Sequence, residues 1–274
     1  MDAIQAIILG IVQGLTEFLP ISSTGHLRIV SAFFGWDDPG AAFTAVTQLG
    51  TMAAILIFFR HEIVRIVVAT LKSLRTDRWH SDDLDAKLGW YIVLGTIPIG
   101  IFGLAFKSVI EDGARSLYVI GTALIVFSFV ILRAEAAGTQ EREIGGITPR
   151  DGLRIGVFQA MALVPGVSRS GATISGGLFL GFRREDAARY SFLLSIPAVV
   201  LSGLLELKDI GDHAHANAGA VPTAIATILA FVVGYATIDF LLKFVARNSI
   251  AVFCGYRVAI GALVLLLAGT GVIS

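Results

Sequence analysis

Long apolar stretches alternate with short polar segments along the chain, and six stretches approach the length of a membrane-spanning helix. A bilayer core requires about 20 mostly apolar residues in one helix. The six stretches cover residues 40–60, 88–107, 117–134, 186–207, 220–243 and 250–273. This pattern predicts an all-α integral membrane protein with six transmembrane helices.

Two further apolar regions are interrupted by polar turns. Residues 2–35 contain the sequence PISSTG, and residues 150–181 contain PGVSRSG. The arms on either side have roughly 12–16 residues, which is too short to cross a bilayer. Irregular backbone at membrane depth is tolerated only inside protein or beside a wet cavity. We therefore predict two re-entrant helical hairpins.

The two interrupted regions align with each other without a gap when the chain is shifted by 146 residues. The identical pairs are Gly10/Gly156, Gln13/Gln159, Ser22/Ser168, Gly25/Gly171, Phe33/Phe179, Gly35/Gly181, Ala41/Ala187 and Ala42/Ala188. We predict one membrane domain over 1–274, with repeat one at about 1–135, a linker at about 136–149 and repeat two at about 150–274. Each copy contains one hairpin and three spanning helices. Because three is an odd number, the two copies cross the bilayer in opposite directions, which is an inverted-topology repeat.

Basic residues are distributed unevenly between the two sides that this topology defines. One side collects 15 Lys and Arg residues, whereas the side of residue 1 has only Lys107, Arg115 and Lys208. Cytoplasmic loops carry the excess of basic residues in membrane proteins. Both termini are therefore predicted outside, and the first hairpin opens outward.

The composition agrees with a membrane protein and narrows its partners. Hydrophobic residues make up 55% of the chain and charged residues only 15%, and the mean hydropathy is +0.79. These values exclude an ordinary soluble domain. The formal net charge is zero, which argues against a nucleic-acid partner.

Glycines in the apolar span 255–271 permit close helix packing, and a homodimer is a further expectation.

The first interrupted region places a carboxylate and an amide on one helix face. Gln13 and Glu17 are four residues apart, so their side chains lie on one helix face and can bind the same ligand. Carboxylate and amide oxygens suit Mg²⁺ or Ca²⁺, which also bind water and substrate phosphate. We expect Glu17 and Gln13 to hold such a divalent cation. A protonated Glu17, or one hydrogen-bonded to a neighbouring hairpin, is the structural alternative.

The polar turn that follows is predicted to restart a helix near Ser22. Ser22, Ser23 and Thr24 are natural N-cap residues, and a helix start binds phosphate groups. Ser23 and His26 then share one face, where they supply a nucleophile and a proton carrier. A His26 bound to a backbone carbonyl in the core is the alternative.

The second polar turn carries an arginine among hydroxyls. The Arg169 guanidinium matches phosphate oxygens in a bidentate way, and Ser168 and Ser170 extend a second anion site at a helix start. A purely structural ion pair between Glu17 and Arg169 is the competing interpretation. Arg257, in the middle of a span, is expected to pair with Glu206 or with lipid headgroups.

The segments QGLTEFLPISSTGH and PGVSRSGATISGG resemble the bacterial undecaprenyl-diphosphate phosphatase family of the bacitracin-resistance type. The hydrophobic layout around both segments also matches from end to end. The resemblance implies hydrolysis of the C55 isoprenoid diphosphate to its monophosphate and inorganic phosphate, in a bacterial plasma membrane, with a divalent cation and a site facing the periplasm or cell exterior. The product is the lipid carrier that cell-wall synthesis uses.

The resemblance also implies roles for particular residues. It places the family's serine and histidine on Ser23 and His26, and its phosphate-binding arginine on Arg169 with Thr173 beside the two serines. The family's metal motif falls on Gln13 and Glu17, where glutamine replaces a glutamate that other members carry.

Several mechanisms and two other functions stay open at this level. Ser23 attacks the terminal phosphorus while Glu17 or His26 takes its proton, or a metal-bound water attacks directly. A transporter or flippase for polyprenyl phosphate fits the inverted repeat. A scaffold whose polar cluster only locks the hairpins together is the third possibility.

Overall fold

The protein is described here by a computed structural model covering residues 1–38, 40–75, 83–106, 116–210 and 219–273, without the side chains of 41, 42, 75 and 202–210. The described chain is almost entirely helical. Its α-helices are α1 Ala3–Phe18, α2 Ser23–Phe33, α3 Gly40–Phe58, α4 Arg60–Arg75, α5 Leu84–Ala105, α6 Leu117–Ala137, α7 Pro149–Met161, α8 Arg169–Phe179, α9 Arg184–Ile210, α10 Ala220–Val245 and α11 Val252–Gly269. A 3-10 turn at Ile144–Gly146 precedes α7.

Four helices of the described chain, α5, α6, α10 and α11, are long and apolar enough to cross a membrane. They lie on four of the six predicted stretches, and α3 and α9 lie on the other two. The all-helical membrane class is therefore confirmed, because these helices supply both the length and the continuous apolar composition that a bilayer demands.

The segment that connects α3 to α5 carries mixed charges and forms the amphipathic helix α4. Its apolar residues recur at helical spacing, and Ile66 and Thr70 pack against Gly89 on α5. Trp90 also donates to the Ser73 hydroxyl at 3.0 Å. The charges of this segment concealed an amphipathic pattern, which a helix satisfies.

Each interrupted region forms two short helices with the same local design. α1 and α7 start 146 residues apart, as do α2 and α8. Asp2 and Thr148 both begin their helices with a capping box, and Ser22 and Ser168 are N-caps that share a φ of 77°. The predicted helix start near Ser22 is confirmed.

The first helix of each half packs closely against the opposite half. A Cβ on Gly10 of α1 would lie 2.6 Å from the carbonyl oxygen of Ala226 on α10. A Cβ on Gly156 of α7 would lie 2.2 Å from the carbonyl oxygen of Gly95 on α5. The backbones touch only because glycine lacks a side chain, and the two halves are interleaved as a result.

α3 and α9 pack side by side in opposite directions. The rings of Phe59 and Phe192 have centroids 6.3 Å apart, and beyond them Glu62 pairs with Arg189 at 2.9 Å. Phe192 also meets Phe18 at 5.5 Å in an edge-on contact. These rings form part of the main core beneath the two polar turns.

Arg142 fixes the segment between the halves. Its guanidinium donates to the carbonyl oxygen of Leu180 at 2.8 Å and to Asp151 at 2.7 Å, and it stacks on Phe182. Burial acts to raise the pKa of Asp151, but hydrogen bonds from Arg142 and Thr148 outweigh burial and lower it. The linker therefore holds the start of α7 against the end of α8.

The closest backbone approach gives a first prediction. Replacing Gly156 by alanine forces α7 away from α5, and overpacking of this kind costs about 1–3 kcal/mol. We expect Gly156→Ala to lower the thermal unfolding midpoint in detergent. Gly255→Ala is the control, because a Cβ there meets nothing within 4 Å. Equal midpoints for both variants would contradict the interleaved packing.

Candidate active site

The two polar turns, far apart in the chain, lie directly against each other. The Ser22 hydroxyl oxygen accepts hydrogen bonds from the backbone N–H of Gly25 at 3.4 Å and of Gly166 at 3.1 Å. In return, the Ser170 hydroxyl donates to the Leu19 carbonyl oxygen at 3.0 Å. The starts of α2 and α8 therefore converge, as the hairpin prediction required.

Arg257 holds both turns together, and its expected pairing with lipid headgroups is wrong because the side chain is buried. Its guanidinium donates to the carbonyl oxygens of Pro20 at 2.8 Å, Gly166 at 3.0 Å and Val167 at 3.2 Å, and to the Ser128 hydroxyl at 3.1 Å. The side chain is 0% exposed. The interrupted backbone supplies most of its acceptors, and the side chain of Glu206, the other expected partner, lies outside the described residues.

Glu17 is the centre of the polar cluster. Its Oε2 accepts from the Ser23 hydroxyl at 2.6 Å and from Gln13 Nε2 at 3.0 Å. Its Oε1 accepts from Arg169 Nη2 at 2.5 Å and from Gln48 Nε2 at 3.2 Å. One carboxylate thus binds the first residue of α2 and the first residue of α8.

The ion pair of the structural alternative is therefore present, together with every group that the catalytic interpretation needs around it. Arg169 and Glu17 belong to different halves of the chain, and their side chains are 17% and 5% exposed. Such a pair at membrane depth is expected to be functional.

The sequence analysis missed Gln48, which binds Glu17 from α3. A signal was available, since Gln48 is an amide in the middle of an apolar stretch. Its helix face became known only from the packing of α3 beside α1.

His26 joins the cluster through the backbone. Its Nδ1 lies 2.8 Å from the Ser22 carbonyl oxygen, and its Nε2 lies 2.8 Å from the Tyr256 hydroxyl. The backbone contact is the one that the core-histidine alternative expected. The Ser23 hydroxyl proton is directed at Glu17. Tyr256 is the second residue that the sequence analysis missed.

The remaining predicted phosphate ligands have structural partners. Ser168 accepts from the Gly171 N–H and contacts the Ser170 hydroxyl at 3.1 Å. Thr173 is completely buried and binds the Arg169 carbonyl oxygen and the Ser191 hydroxyl. Phosphate binding by these side chains and by Ser22 stays a prediction. Ser23, Thr24 and Arg169 are half-buried.

A small, partly open hollow borders the cluster. Glu17 and Arg169 form its polar end, and Thr51 of α3 and Ser195 and Val199 of α9 line its walls. The starts of α2 and α8 add positive ends of helix dipoles nearby. The arrangement combines anion-binding donors, a hydroxyl nucleophile and a base in one place.

The oxygen atoms of Glu17 and Gln13 can supply some, but not all, of the ligands of one hard cation. Gln13 Oε1 is a buried oxygen with no hydrogen-bond partner in the described chain, although its own Nε2 donates to Glu17. No group of three or more His, Cys, Asp or Glu residues within the described ranges is arranged to hold a metal. One carboxylate and one amide oxygen match a cation that takes its other ligands from water and phosphate.

These features define the chain as a helical membrane protein with a cluster suited to phosphate chemistry at two converging helix starts. Residues 6–263 match the family described as bacitracin resistance protein BacA, and the chain belongs to that family. Relatives named undecaprenyl-diphosphatase are 53% identical in Nocardioides and in Mycolicibacterium smegmatis, over 100% of this chain and 99% of theirs. One from Myxococcus xanthus is 50% identical over 100% of this chain and 92% of its own.

Arg257 gives the second prediction. Arg257→Met leaves carbonyl oxygens at Pro20, Gly166 and Val167 without partners, and each such buried group costs about 1–3 kcal/mol. We expect the free energy of unfolding in detergent to fall by about 3 kcal/mol or more. Arg247→Met, at an exposed position, is the matched control. An unchanged unfolding midpoint for Arg257→Met would show that the turns hold together without it.

Proposed function

We propose that this protein hydrolyses undecaprenyl diphosphate to undecaprenyl phosphate and inorganic phosphate, which returns the lipid carrier to cell-wall synthesis. Full-length similarity to relatives named undecaprenyl-diphosphatase supports this activity. The observation that carries it is the sharing of the Glu17 carboxylate by Ser23 and Arg169. A nucleophile, its base and a phosphate-binding group are then in one cluster.

The proposed architecture has six spanning helices and two re-entrant hairpins in inverted repeats of about 1–135 and 150–274. The equal spacing of α1/α7 and α2/α8 supports the repeats. The opposite directions of α3 and α9, which hold corresponding places in the two halves, support the inversion. α2 and α8 have 11 residues each, which is half of a membrane span.

The protein lies in the bacterial plasma membrane with both termini outside and with its site open to the periplasm or cell exterior. The basic residues support this orientation. Arg60, Arg184, Arg189 and Arg247 cluster where α3 and α10 end and α9 begins, and positively charged ends face the cytoplasm. The predicted homodimer stays a prediction.

Arg169 binds the diphosphate by releasing the Glu17 carboxylate and taking a phosphate group in its place. In the free protein its guanidinium binds Glu17, and an incoming phosphate supplies oxygens that match the same planar donors. The N–H groups at the starts of α2 and α8, with Thr24 beside Ser23, face the same charge. The prenyl chain stays in the lipid between the spanning helices.

Ser23 attacks the terminal phosphorus, and Glu17 takes the hydroxyl proton. The 2.6 Å hydrogen bond between them supports this choice of base over His26. The new Ser23 Oγ–P bond forms as the bridging P–O bond breaks, which releases undecaprenyl phosphate. Water then cleaves the phosphoserine and releases inorganic phosphate. Arg169 stabilises the charge on the transferred phosphoryl oxygens.

A divalent cation, Mg²⁺ or Ca²⁺, would be held by Glu17 and by Gln13 Oε1, which has no hydrogen-bond partner among the described residues. When bound, it would neutralise charge on the phosphate oxygens. The hydrogen bond from Gln13 Nε2 to Glu17 orients the amide group, so that Oε1 is available as a ligand.

Inorganic phosphate release tests the activity. Purified protein in detergent is expected to release phosphate from undecaprenyl diphosphate, and chelation is expected to lower the rate by about tenfold or more. Added Mg²⁺ or Ca²⁺ should restore it. Movement of polyprenyl phosphate across vesicles without phosphate release would favour the flippase instead, and a folded protein with neither property would favour the scaffold.

The covalent route gives a separate prediction. Ser23→Ala is expected to lower kcat by about 10³-fold or more, with substrate binding kept, because the nucleophile is gone. Ser175→Ala is the control, since the buried Ser175 hydroxyl has no hydrogen-bond partner within the described residues. Turnover near that of the wild type by Ser23→Ala would eliminate the phosphoserine and leave direct attack by water.

A further inference from the structure

Both nitrogens of the buried His26 ring have assigned partners, and the partners define its tautomer. The Ser22 carbonyl oxygen, 2.8 Å from Nδ1, can only accept, so Nδ1 carries a proton. In the neutral ring Nε2 is then the nitrogen with the free electron pair. The Tyr256 hydroxyl, 2.8 Å away, donates to it. Without Tyr256, this lone pair would lack a protein donor in the described contacts.

Tyr256 holds the ring in two ways. Besides the hydrogen bond, its ring lies almost parallel to the imidazole, with centroids 5.6 Å apart and planes inclined by 15°. The neighbouring residue Arg257 anchors α11 to both polar turns, so the phenol is fixed relative to the start of α2. Tyr256 itself is 45% exposed, whereas His26 is 5% exposed.

We propose that Tyr256 is a positioning residue for His26: its hydroxyl keeps Nε2 as the proton-accepting nitrogen and holds the imidazole against the start of α2. An unanchored imidazole exchanges tautomers and rotates about its side-chain bonds, and both changes misplace its proton-accepting atom. Because Glu17 is the base for Ser23, the proton that His26 accepts is that of the water which cleaves the phosphoserine, and a base oriented by another group is a recurring arrangement in such catalysis.

The kinetic consequence rests on the proposed phosphatase activity, whereas the tautomer does not. This separation allows the two ideas to fail independently. A spectrum of the histidine nitrogens reports on Tyr256 even in a protein that releases no phosphate.

The matched variants each remove one tyrosine hydroxyl that joins α11 to another helix. Tyr256→Phe keeps the stacked ring and removes the donor to His26. Tyr118→Phe removes a hydroxyl on α6 that donates to the Ala268 carbonyl oxygen on α11 at 3.0 Å, with no histidine involved. His26→Gln assigns the His26 signals among the five histidines of the chain.

The test is ¹⁵N NMR of histidine-labelled protein in detergent at alkaline pH, with kcat and KM measured in parallel. The wild type is expected to carry the His26 proton on Nδ1. Tyr256→Phe should shift the Nε2 resonance and lower kcat roughly 3- to 30-fold, the effect of one hydrogen bond, with KM unchanged. Tyr118→Phe should do neither, and Tyr256→Phe should have no further effect in the His26→Gln background.

Three results would overturn the proposal. The first is a neutral wild-type His26 with its proton on Nε2, read from the wild-type spectrum once His26→Gln has assigned the signals. The second is a Tyr256→Phe protein whose His26 spectrum and kcat match the wild type. The third is an equal loss of kcat from Tyr256→Phe when His26 is already replaced.

Discussion

Two polar turns must be buried without leaving their backbone groups unsatisfied, and Arg257 meets that requirement for both. Its guanidinium binds the carbonyl oxygens of Pro20, Gly166 and Val167 from one position. In a medium without water these oxygens would each lack a partner at considerable cost. The same contacts draw the two turns together, so satisfying the backbone also places the starts of α2 and α8 side by side. The polar cluster depends on this arrangement.

The hydrogen bonds of the polar cluster converge on one carboxylate. Glu17 accepts hydrogen bonds from Gln13, Ser23, Gln48 and Arg169, which together use both of its oxygens. A buried ion pair is weak evidence for stability, because removing two charges from water costs about as much as their attraction returns. The proposed ligand exchange, in which a phosphate replaces Glu17 on Arg169, accounts for its persistence at membrane depth. Under that proposal the structural and catalytic interpretations of this pair describe successive states of one site.

The two halves share a backbone design but differ in chemistry. Ser23 and Arg169 occupy equivalent first positions of α2 and α8, and in the cluster they bind opposite oxygens of one carboxylate. Gln159, the counterpart of Gln13, is completely buried and leaves both amide atoms without partners in the described chain. It faces no carboxylate equivalent to Glu17, because the corresponding position is Leu163. A duplicated scaffold thus supports one site through side chains that differ between its copies.

Local patterns in the sequence determined the helices, the two interruptions and the N-caps, because hydrophobic length and capping chemistry act over a few residues. They also singled out Gln13, Glu17, Ser23 and Arg169, since polar groups in apolar segments are exceptional. The sequence did not indicate the backbone partners of Arg257, concealed α4 among charges, and missed Gln48 and Tyr256. Those contacts join residues up to 237 positions apart, and only the interleaving of the two halves decides which faces meet. Spacing along a helix defines a face, but packing between helices chooses what that face touches.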